Sequence, residues 1–239
     1  MELRFHSDLM ENRQAEKVKK HFNSKEIDYD VCAESVVPRN EELHNIIVDT
    51  IHHNRNDKIK ILDLGIGTGL GAWKILSEFP NAKLTGIDFS SKMLKRCKER
   101  LTLFKKRVLL IEDDFNKINF PEKYDVVVSA VSIHNSKPEQ QLKLISKIYD
   151  SLKSNGIFIN GDFVKSSSDH INTKLKKFYE NFLKERLTGI ELEKWLHHAF
   201  EEDKPIDIET QLNWLKEAKF RKTECVWIYM NLAVYYGIK

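Results

Sequence analysis

Residues 62–69 read Leu-Asp-Leu-Gly-Ile-Gly-Thr-Gly, with three glycines in five residues directly after an apolar segment. An apolar run from Ile59 to Leu64 leads into the glycines and predicts a strand that ends where they begin. Apolar residues then recur at helical spacing from Ala72 to Phe79. Glycines between a strand and a helix let the backbone bend tightly and approach a ligand closely. The stretch therefore predicts the first strand–turn–helix unit of an α/β sheet.

The same alternation of strand and helix patterns continues along the chain and predicts a parallel sheet with helices on both faces. The run Val126-Val127-Val128 suits a strand that is buried on both sides. Asn155-Gly156 is expected to end the helix before the fifth strand. The last two strand patterns are too close together for a parallel crossover, so we expect them to pair antiparallel. Strands are predicted at 83–87, 107–111, 124–129, 157–163, 224–229 and 231–236, and helix faces at 93–104, 142–152 and 208–218.

Composition predicts one domain of ordinary size in a reducing compartment. The chain has 239 residues, of which 41% are hydrophobic, and its formal net charge is only +3. Dedicated nucleic-acid binders usually carry a larger basic excess. The three cysteines are far apart and odd in number, which argues against a disulfide framework. The charged start of the chain and the lack of an apolar run of about 18 residues predict a cytoplasmic protein without a membrane segment.

An acidic residue follows the second predicted strand, about twenty residues after the glycine turn. A carboxylate at the position of Asp88 can accept hydrogen bonds from both hydroxyls of a ribose, in a nicotinamide or an adenosyl cofactor. Dinucleotide sites use the spacing Gly-x-Gly-x-x-Gly, which would require glycine at Leu70. The spacing observed is Gly-x-Gly-x-Gly with Asp63 just ahead of it, which favours the adenosyl cofactor.

Residues 63–69 are similar to the signature loop of class I S-adenosylmethionine-dependent methyltransferases. Residues 88–94, 112–115, 124–130 and 152–158 resemble further segments of that family, in the same order. The resemblance covers residues 59–164, and the closing helix and strand pair extend it to residue 239. It implies an α/β, Rossmann-like, mostly parallel seven-stranded sheet with an antiparallel C-terminal edge strand. It also implies an enzyme that transfers a methyl group from S-adenosyl-L-methionine.

The resemblance implies a role in cofactor binding for nine residues. A flat apolar slot would hold the adenine ring, carboxylates would hold hydroxyls and amines, and bare backbone would lie beside the sulfonium. Asp113 is the alternative to Asp114, and Met93 fits helix packing as well as a cofactor contact. Asp63 would face the amino group of the cofactor, and Gly65 and Gly67 would lie against its methionine part. Asp88 would hold the ribose, and Phe89 and Met93 would pack on the adenine ring. Asp114 and the backbone of Phe115 would contact the edge of the adenine ring, and Ala130 would form part of the pocket wall.

Two residues are candidates for catalysis. His134, just after the fourth strand, is placed to act as a general base for an oxygen or nitrogen acceptor, or to form part of the pocket wall. The segment around Tyr29 resembles a lid in a subgroup related to tRNA wobble-uridine modification methyltransferases, so Tyr29 is expected to close over the methionine end. Arginines that often follow in that subgroup are replaced here by Ala33 and Glu34, and Arg39 is the remaining candidate to bind a carboxylate.

The chain divides into a lid, a core and a cap. We expect an N-terminal lid at 1–40, a cofactor-binding core at 41–164 and 207–239, and a helical cap inserted at 165–206. The acceptor is expected to be a small molecule, with tRNA as the alternative. A second copy of the chain, forming a homodimer, is the other predicted partner. A protein that binds the cofactor without methylating anything is the third reading. No metal site is expected, because the paired histidines at 52–53 and 197–198 are adjacent in sequence and their side chains should diverge on helices.

Overall fold

A mixed sheet organises residues 29–239, the part of the chain that the computed structural model describes. Its strands lie in the order β3-β2-β1-β4-β5-β8-β7, and the short strand β6 pairs with β5 off this path. The strands are β1 (Lys60–Leu64), β2 (Lys83–Asp88), β3 (Val108–Glu112), β4 (Tyr124–Ala130), β5 (Leu152–Lys165), β6 (Ile206–Asp207), β7 (Lys222–Tyr229) and β8 (Leu232–Ile238).

The strand order reverses beside β1, which pairs in parallel with β2 on one side and with β4 on the other. A crevice forms at the carboxyl ends of the strands where the order of a parallel sheet reverses, and ligands bind there. Strand β8 pairs antiparallel with both β5 and β7. The predicted Rossmann-like sheet with an antiparallel C-terminal strand is thus confirmed, although β8 lies one place inside the edge that β7 forms.

Helices cover both faces of this sheet. Alternate residues of β4 point to opposite layers: Val126 and Val128 pack into one apolar cluster and Val127 into the other, and all three are buried. Burial on both sides explains why this strand is a continuous valine run. The helices are α1 (Tyr29–Val36), α2 (Asn40–Thr50), α3 (Leu70–Glu78), α4 (Ser91–Arg100), α5 (Pro138–Ser151), α6 (Asp169–Lys184), α7 (Gly189–His197) and α8 (Ile208–Glu217), with 3-10 turns at Thr102–Phe104 and Ile133–Asn135 and a π-helical turn at His198–Glu202.

Two local predictions were wrong. Helix α5 ends at Ser151, and β5 begins at the next residue. Asn155, with φ of 62°, instead belongs to an irregularity where the register of β5 against β4 shifts. The rings of His52 and His53 do not diverge but stack with centroids 4.6 Å apart, because both residues follow the end of α2.

The inserted segment 165–206 folds into α6, α7 and the π-helical turn, as the apolar spacing predicted. The hydroxyl of Tyr179 donates a hydrogen bond of 2.7 Å to the carbonyl of Val36, which ties α6 to α1. Tyr29 is the first residue of α1, but its side chain and residues 1–28 lie outside the described residues, so its predicted role remains a prediction. Among residues 29–239, no helix has the length and apolar character needed to cross a bilayer.

Candidate active site

The glycine turn after β1 is held against β2 by its own backbone. The amides of Gly65 and Ile66 both donate to the carbonyl of Ile87, at 2.8 and 3.1 Å. Gly65 adopts a φ of +73°, a conformation that L-residues rarely adopt. A Cβ at Gly65 would also lie 1.9 Å from the hydroxyl oxygen of Ser132. Only glycine therefore fits at position 65, and the turn after β1 lies directly against the loop after β4.

Asp88 joins the glycine turn to the end of β2. Its carboxylate accepts hydrogen bonds of 2.9 Å from the amide of Gly67 and 2.8 Å from the amide of Ser90. Burial raises the pKa of Asp88 to about 6, even though both amides favour the ionised form. Each carboxylate oxygen has two acceptor sites, so both keep the capacity to accept a bond from a ribose hydroxyl.

Asp63 is a buried carboxylate that lies at the carboxyl end of β1. Its side chain faces the crevice and accepts no hydrogen bond from the described residues. Burial, assisted by the charge of Asp88, raises the pKa of Asp63 to about 7. A cationic ligand group beside Asp63 would offset the cost of burying this carboxylate. The ammonium group of S-adenosylmethionine has the charge that this position requires.

The ends of β2 and β3 supply the groups expected to contact the adenine ring. Phe115 and Met93 are buried, and Phe89 is half-buried. Asp114 is half-buried and accepts a bond of 2.9 Å from the amide of Asn116, whereas Asp113 is exposed and accepts from the amide of Asp114. Both carboxylates border the same crevice, so the choice between Asp113 and Asp114 remains a prediction.

One cavity of about 640 Å³ collects these groups. Its volume lies within the range of small-molecule sites. It extends from the end of β3, across the glycine turn, to the inserted helices α6 and α7. All nine residues predicted to bind the cofactor line this cavity, as does His134: Asp63, Gly65, Gly67, Asp88, Phe89, Met93, Asp114, Phe115 and Ala130.

The loop after β4 is strained where it enters the cavity. Val131 has a φ of 51°, an unfavourable value for a β-branched residue, and its amide donates to the carbonyl of Gly161 at 2.8 Å. Strain of this kind costs of order 1–3 kcal/mol and tends to occur at functional sites. The bend at Val131 brings Ser132 to the glycine turn and His134 into the cavity wall.

His134 is buried and paired with an acid from β5. Its Nδ1 donates to Oδ1 of Asp162 at 2.5 Å, and its backbone amide donates to Oδ2 of the same carboxylate at 3.1 Å. Its Nε2 lies 3.6 Å from Oδ2 of Asp203. Burial disfavours the charged imidazole, but the two carboxylates outweigh this effect and raise the pKa of His134 to about 9. His134 is therefore a cation near neutral pH.

The inserted segment contributes ionisable groups that the sequence patterns did not indicate. Asp203 and His198 line the cavity opposite His134. The amide of Lys204 donates to the carbonyl of His134 at 2.8 Å, and the side chain of Gln141 donates to the carbonyl of Lys204 at 2.9 Å. These bonds fix the end of the insertion against the core. The acidic run at 201–203 was the available signal, but nothing in the sequence places it near His134.

Arg39 does not line the cavity, contrary to its proposed role as a carboxylate anchor. Its guanidinium lies 4.2 Å from the ring centroid of Tyr229 and pairs with Glu42 at 2.9 Å. Within the described residues, Lys117 is the only lysine or arginine among the lining residues. Lys117 lies on the adenine side, 3.7 Å from Asp114. At the other end of the described cavity the cation is therefore His134, which is adjacent to the carboxylates of Asp162 and Asp203.

The fold and the site together define a class of protein. A glycine turn follows β1, and a carboxylate ends β2. A buried acid that accepts no hydrogen bond from the described residues faces the crevice, and a cavity extends to an inserted helical segment. This arrangement suits a nucleoside cofactor with a cationic tail, which is the form of S-adenosylmethionine.

Comparison with known proteins gives the same class. Residues 61–156 match the family model described as a methyltransferase domain. The chain is 28% identical to carboxy-S-adenosyl-L-methionine synthase of Nautilia profundicola, over 85% of this chain and 87% of that protein. It is 30% identical to malonyl-[acyl-carrier protein] O-methyltransferase of Priestia megaterium, over 66% of this chain but only 57% of that protein.

A solved structure shows the same fold. The O-methyltransferase family 2 protein of Planctomyces limnophilus, in complex with apigenin, aligns with a TM-score of 0.64 at 17% identity. The alignment covers 89% of this chain and 62% of that one, so this chain spans less than two thirds of its length. The sequence matches and this fold identify the chain as an S-adenosylmethionine-dependent methyltransferase enzyme of class I, with S-adenosylmethionine as its cofactor.

Proposed function

We propose that this enzyme transfers the methyl group of S-adenosylmethionine to an oxygen or nitrogen atom of a small-molecule acceptor. The observation that carries the proposal is the continuity of the cavity. It runs from the buried carboxylate of Asp63 to the aromatic side chains of Phe163, Tyr179 and Trp195. A methyl donor held beside the glycine turn would therefore face a site with aromatic walls that fits a small organic molecule.

The cofactor residues keep the roles that the sequence resemblance implied. Asp63 faces the ammonium group, Asp88 accepts from the ribose hydroxyls, and Phe89 packs on the adenine ring. Gly65 and Gly67 leave room for the methionine part. The bound cofactor supplies an electrophilic methyl group, and the protein contributes mainly by orienting donor and acceptor in line.

We assign residues 165–206 to the acceptor side of the site. Tyr179 of α6 and Trp195 of α7 are buried, and both lie on the cavity wall with Phe163 of β5. The ring of Phe163 contacts those of His134 and Tyr179, each with centroids 5.3 Å apart. The insertion thus serves as the cap, and residues 41–164 and 207–239 serve as the core that carries the cofactor.

His134 keeps its proposed place at the acceptor, although its charge restricts its role. A cation near neutral pH cannot accept a proton, so His134 acts as a base only when it has lost its own proton. In its charged form it can donate a hydrogen bond through Nε2. Replacement of His134 by glutamine should leave cofactor affinity nearly unchanged and slow methyl transfer.

A second candidate function is suggested by the Nautilia profundicola relative, whose name describes the synthesis of carboxy-S-adenosyl-L-methionine. Its alignment spans most of both chains. A carboxylate held beside the sulfonium would require a cationic partner. The described residues on that side offer histidines paired with acids, and Ala33 and Glu34 stand where arginines would suit a carboxylate. The charge of the site therefore favours methyl transfer.

The test is to incubate the enzyme with methyl-labelled S-adenosylmethionine and, separately, a small-molecule metabolite extract, total tRNA or acyl carrier protein. The cofactor product is identified by mass spectrometry. Label in a small molecule, together with S-adenosylhomocysteine, supports the proposal. Label only in tRNA or in the carrier protein overturns the small-molecule acceptor, and a carboxylated cofactor establishes the second candidate. Asp63→Asn serves as the variant with an impaired cofactor site, and Glu122→Gln, at the opposite end of the sheet, as its matched control.

A further inference from the structure

Acidic and imidazole side chains alternate in a row along the acceptor side of the cavity. Asp162 of β5 pairs with His134, and beyond it follow Asp203, His198 and Glu202 from the end of the inserted segment. Oδ1 of Asp162 lies 2.5 Å from Nδ1 of His134, and Nε2 of His134 lies 3.6 Å from Oδ2 of Asp203. Oδ1 of Asp203 lies 3.3 Å from Nε2 of His198, and Nδ1 of His198 lies 2.9 Å from Oε2 of Glu202. Three of these five residues line the cavity: His134, Asp203 and His198.

Asp203 is the member of the row with an unused acceptor atom. Its side chain is only 8% exposed, and its Oδ1 accepts no hydrogen bond from the described residues. Nε2 of His198 lies 3.3 Å from this oxygen without the alignment of a hydrogen bond. Two unprotonated atoms in this position would repel each other weakly. A proton on Oδ1 would turn the contact into a hydrogen bond to His198.

The ionisation states favour Asp203 over His134 as the acceptor of a proton. His134 holds a proton near neutral pH because Asp162 and Asp203 flank it. Burial raises the pKa of Asp203, while the neighbouring His134 and His198 oppose the rise. A carboxylate whose pKa is raised is a stronger base than an exposed aspartate. Asp203 is thus a base that faces the cavity, and its Oδ1 accepts no hydrogen bond from the described residues.

The far end of the row reaches the surface. His198 donates through Nδ1 to Glu202, whose side chain is 21% exposed. His197, 66% exposed, lies 3.8 Å from the other oxygen of Glu202. The two consecutive histidines thus approach one carboxylate at the π-helical turn His198–Glu202, so the prediction that their side chains diverge was wrong. The row therefore connects the interior of the cavity to solvent.

We propose that Asp203 accepts the proton of the methyl acceptor and that His198 and Glu202 carry this proton to the surface. The proposal rests on the proposed methyl transfer. As the new C–O or C–N bond forms, the C–S bond breaks and its electron pair stays on sulfur. The O–H or N–H proton of the acceptor passes to Oδ1 of Asp203 and then to Nε2 of His198. His198 releases its Nδ1 proton to Glu202, which loses it to water.

This assignment restricts the chemistry of the acceptor. The reacting atom must carry a hydrogen that can be donated to Asp203, as a hydroxyl or an amine does. The body of the acceptor must fit between the aromatic side chains of Phe163, Tyr179 and Trp195. An anionic acceptor would be disfavoured, because the cation that faces it within the described site, His134, is already flanked by the carboxylates of Asp162 and Asp203. Aromatic hydroxyl compounds and amines are therefore the expected acceptors.

The test compares Asp203→Asn with Glu201→Gln, an exposed acid two residues away whose side chain faces solvent. Methyl-labelled S-adenosylmethionine and the metabolite extract are the probes. We expect Asp203→Asn to slow transfer by about 10²–10⁴-fold. We expect the affinity for S-adenosylhomocysteine to stay within about twofold of the wild type, since Asp203 does not touch the cofactor side. Glu201→Gln should behave as the wild type.

A second variant, His198→Gly, distinguishes an interrupted proton path from a misfolded protein. In His198→Gly the row is interrupted but an imidazole-sized space remains, so added imidazole should restore a large part of the lost rate. A residue with a purely structural role would not be rescued in this way. Full turnover in Asp203→Asn, or loss in His198→Gly that imidazole does not restore, would overturn the proton path. Absence of any labelled small molecule with the wild-type enzyme would instead overturn the proposed function itself.

Discussion

The imidazole of His134 and the carboxylate of Asp162 form a buried pair whose Nδ1 and Oδ1 atoms are 2.5 Å apart. Asp162 also accepts bonds from the amides of His134 and Phe163, so the carboxylate is well satisfied. The pair joins the loop after β4 to the middle of the sheet. Its charge state therefore affects both the stability of the fold and the geometry of the acceptor site.

The first prediction concerns stability and pH. An unfolded chain has a histidine pKa near 6.5, whereas the folded protein raises the pKa of His134 to about 9. The folded state thus binds this proton more tightly. The stabilisation is complete below pH ~6.5 and is lost as the pH rises through about 9. Asp162→Asn removes this stabilisation, so we expect the free energy of unfolding of the variant to be about 2 kcal/mol lower than that of the wild type near pH 6.

Urea unfolding between pH 6 and 10 measures this difference. The gap between the wild type and Asp162→Asn should narrow as the pH rises toward ~10, because His134 is then neutral in both proteins. Asp169→Asn, an exposed acid in the first turn of α6, is the matched control and should show a small gap at every pH. If the free energy of unfolding of Asp162→Asn differs from that of the wild type by the same amount at every pH, His134 is not charged in the folded protein.

The second prediction separates backbone strain from steric conflict in a series of three glycines. Gly65, Gly67 and Gly189 all have positive φ, at +73°, +55° and +57°. A Cβ at Gly189 meets nothing within 4 Å, so Gly189→Ala reports the cost of strain alone, about 1–2 kcal/mol. Gly65→Ala adds the conflict with Ser132 and should destabilise the protein more. Gly67→Ala should destabilise it about as much as Gly189→Ala, but its methyl group would enter the cofactor site.

Thermal unfolding and calorimetric titration with S-adenosylhomocysteine together check this series. We expect cofactor binding to be lost in Gly67→Ala and retained in Gly189→Ala despite their similar stability. Replacing Ser132 by glycine in the Gly65→Ala background should recover part of the lost stability. Equal binding by the alanine variants of Gly67 and Gly189 would show that the methionine part of the cofactor lies elsewhere.

The sequence predicted that the residues proposed for cofactor binding would lie together, because the determinants of this placement are local. Glycines that follow a strand, and an acid that ends the next strand, lie at neighbouring strand ends once the sheet is parallel. The register confirms the arrangement, since Leu64 pairs with Ile87, one residue before Gly65 and Asp88 respectively. Short-range sequence patterns were therefore sufficient to predict that the glycine turn and Asp88 lie side by side.

The acceptor half could not be predicted, because its residues meet only after folding. Asp162, Asp203 and His198 come from β5 and the end of the insertion, and their spacing along the chain has no period. The π-helical turn that aims His198 at Glu202 has no sequence signal comparable to a glycine turn. The prediction for Asn155 was wrong for a related reason: Leu152 already pairs with Tyr124, and Ile157 pairs with Val126, so the residues between them form an irregularity within β5 and not a turn before it.

The third prediction tests the ribose site. Asp88→Asn keeps the shape of the side chain and removes its charge, so it should lose the charge-assisted bonds to the ribose hydroxyls. We expect a loss of about 1.5–3 kcal/mol, which is roughly a 10- to 100-fold weaker Kd for S-adenosylhomocysteine. Calorimetry measures it, with Glu122→Gln as a control far from the cavity. Wild-type affinity in Asp88→Asn would show that another group, such as Glu112 at the end of β3, holds the ribose.

The fourth prediction concerns the pH dependence of cofactor binding. The raised pKa values of Asp63, about 7, and Asp88, about 6, mean that both carboxylates become protonated in the free enzyme as the pH falls through these values. Protonated Asp63 loses its attraction for the ammonium group, so the Kd for S-adenosylmethionine should rise as the pH falls from about 8 to about 5. Because a bound cation favours the ionised carboxylates, binding near pH 6.5 should release protons.

Calorimetry in two buffers of different ionisation enthalpy measures that proton release directly. Asp63→Asn should bind the cofactor more weakly at pH 8 and should lose the part of the pH dependence that lies near pH 7, while the part near pH 6, due to Asp88, remains. A larger release of protons by the wild type than by the variant, which keeps only the release due to Asp88, assigns the group that titrates near pH 7 to Asp63. Proton uptake on binding, or equal release by both proteins, would mean that Asp63 does not face the ammonium group of the cofactor.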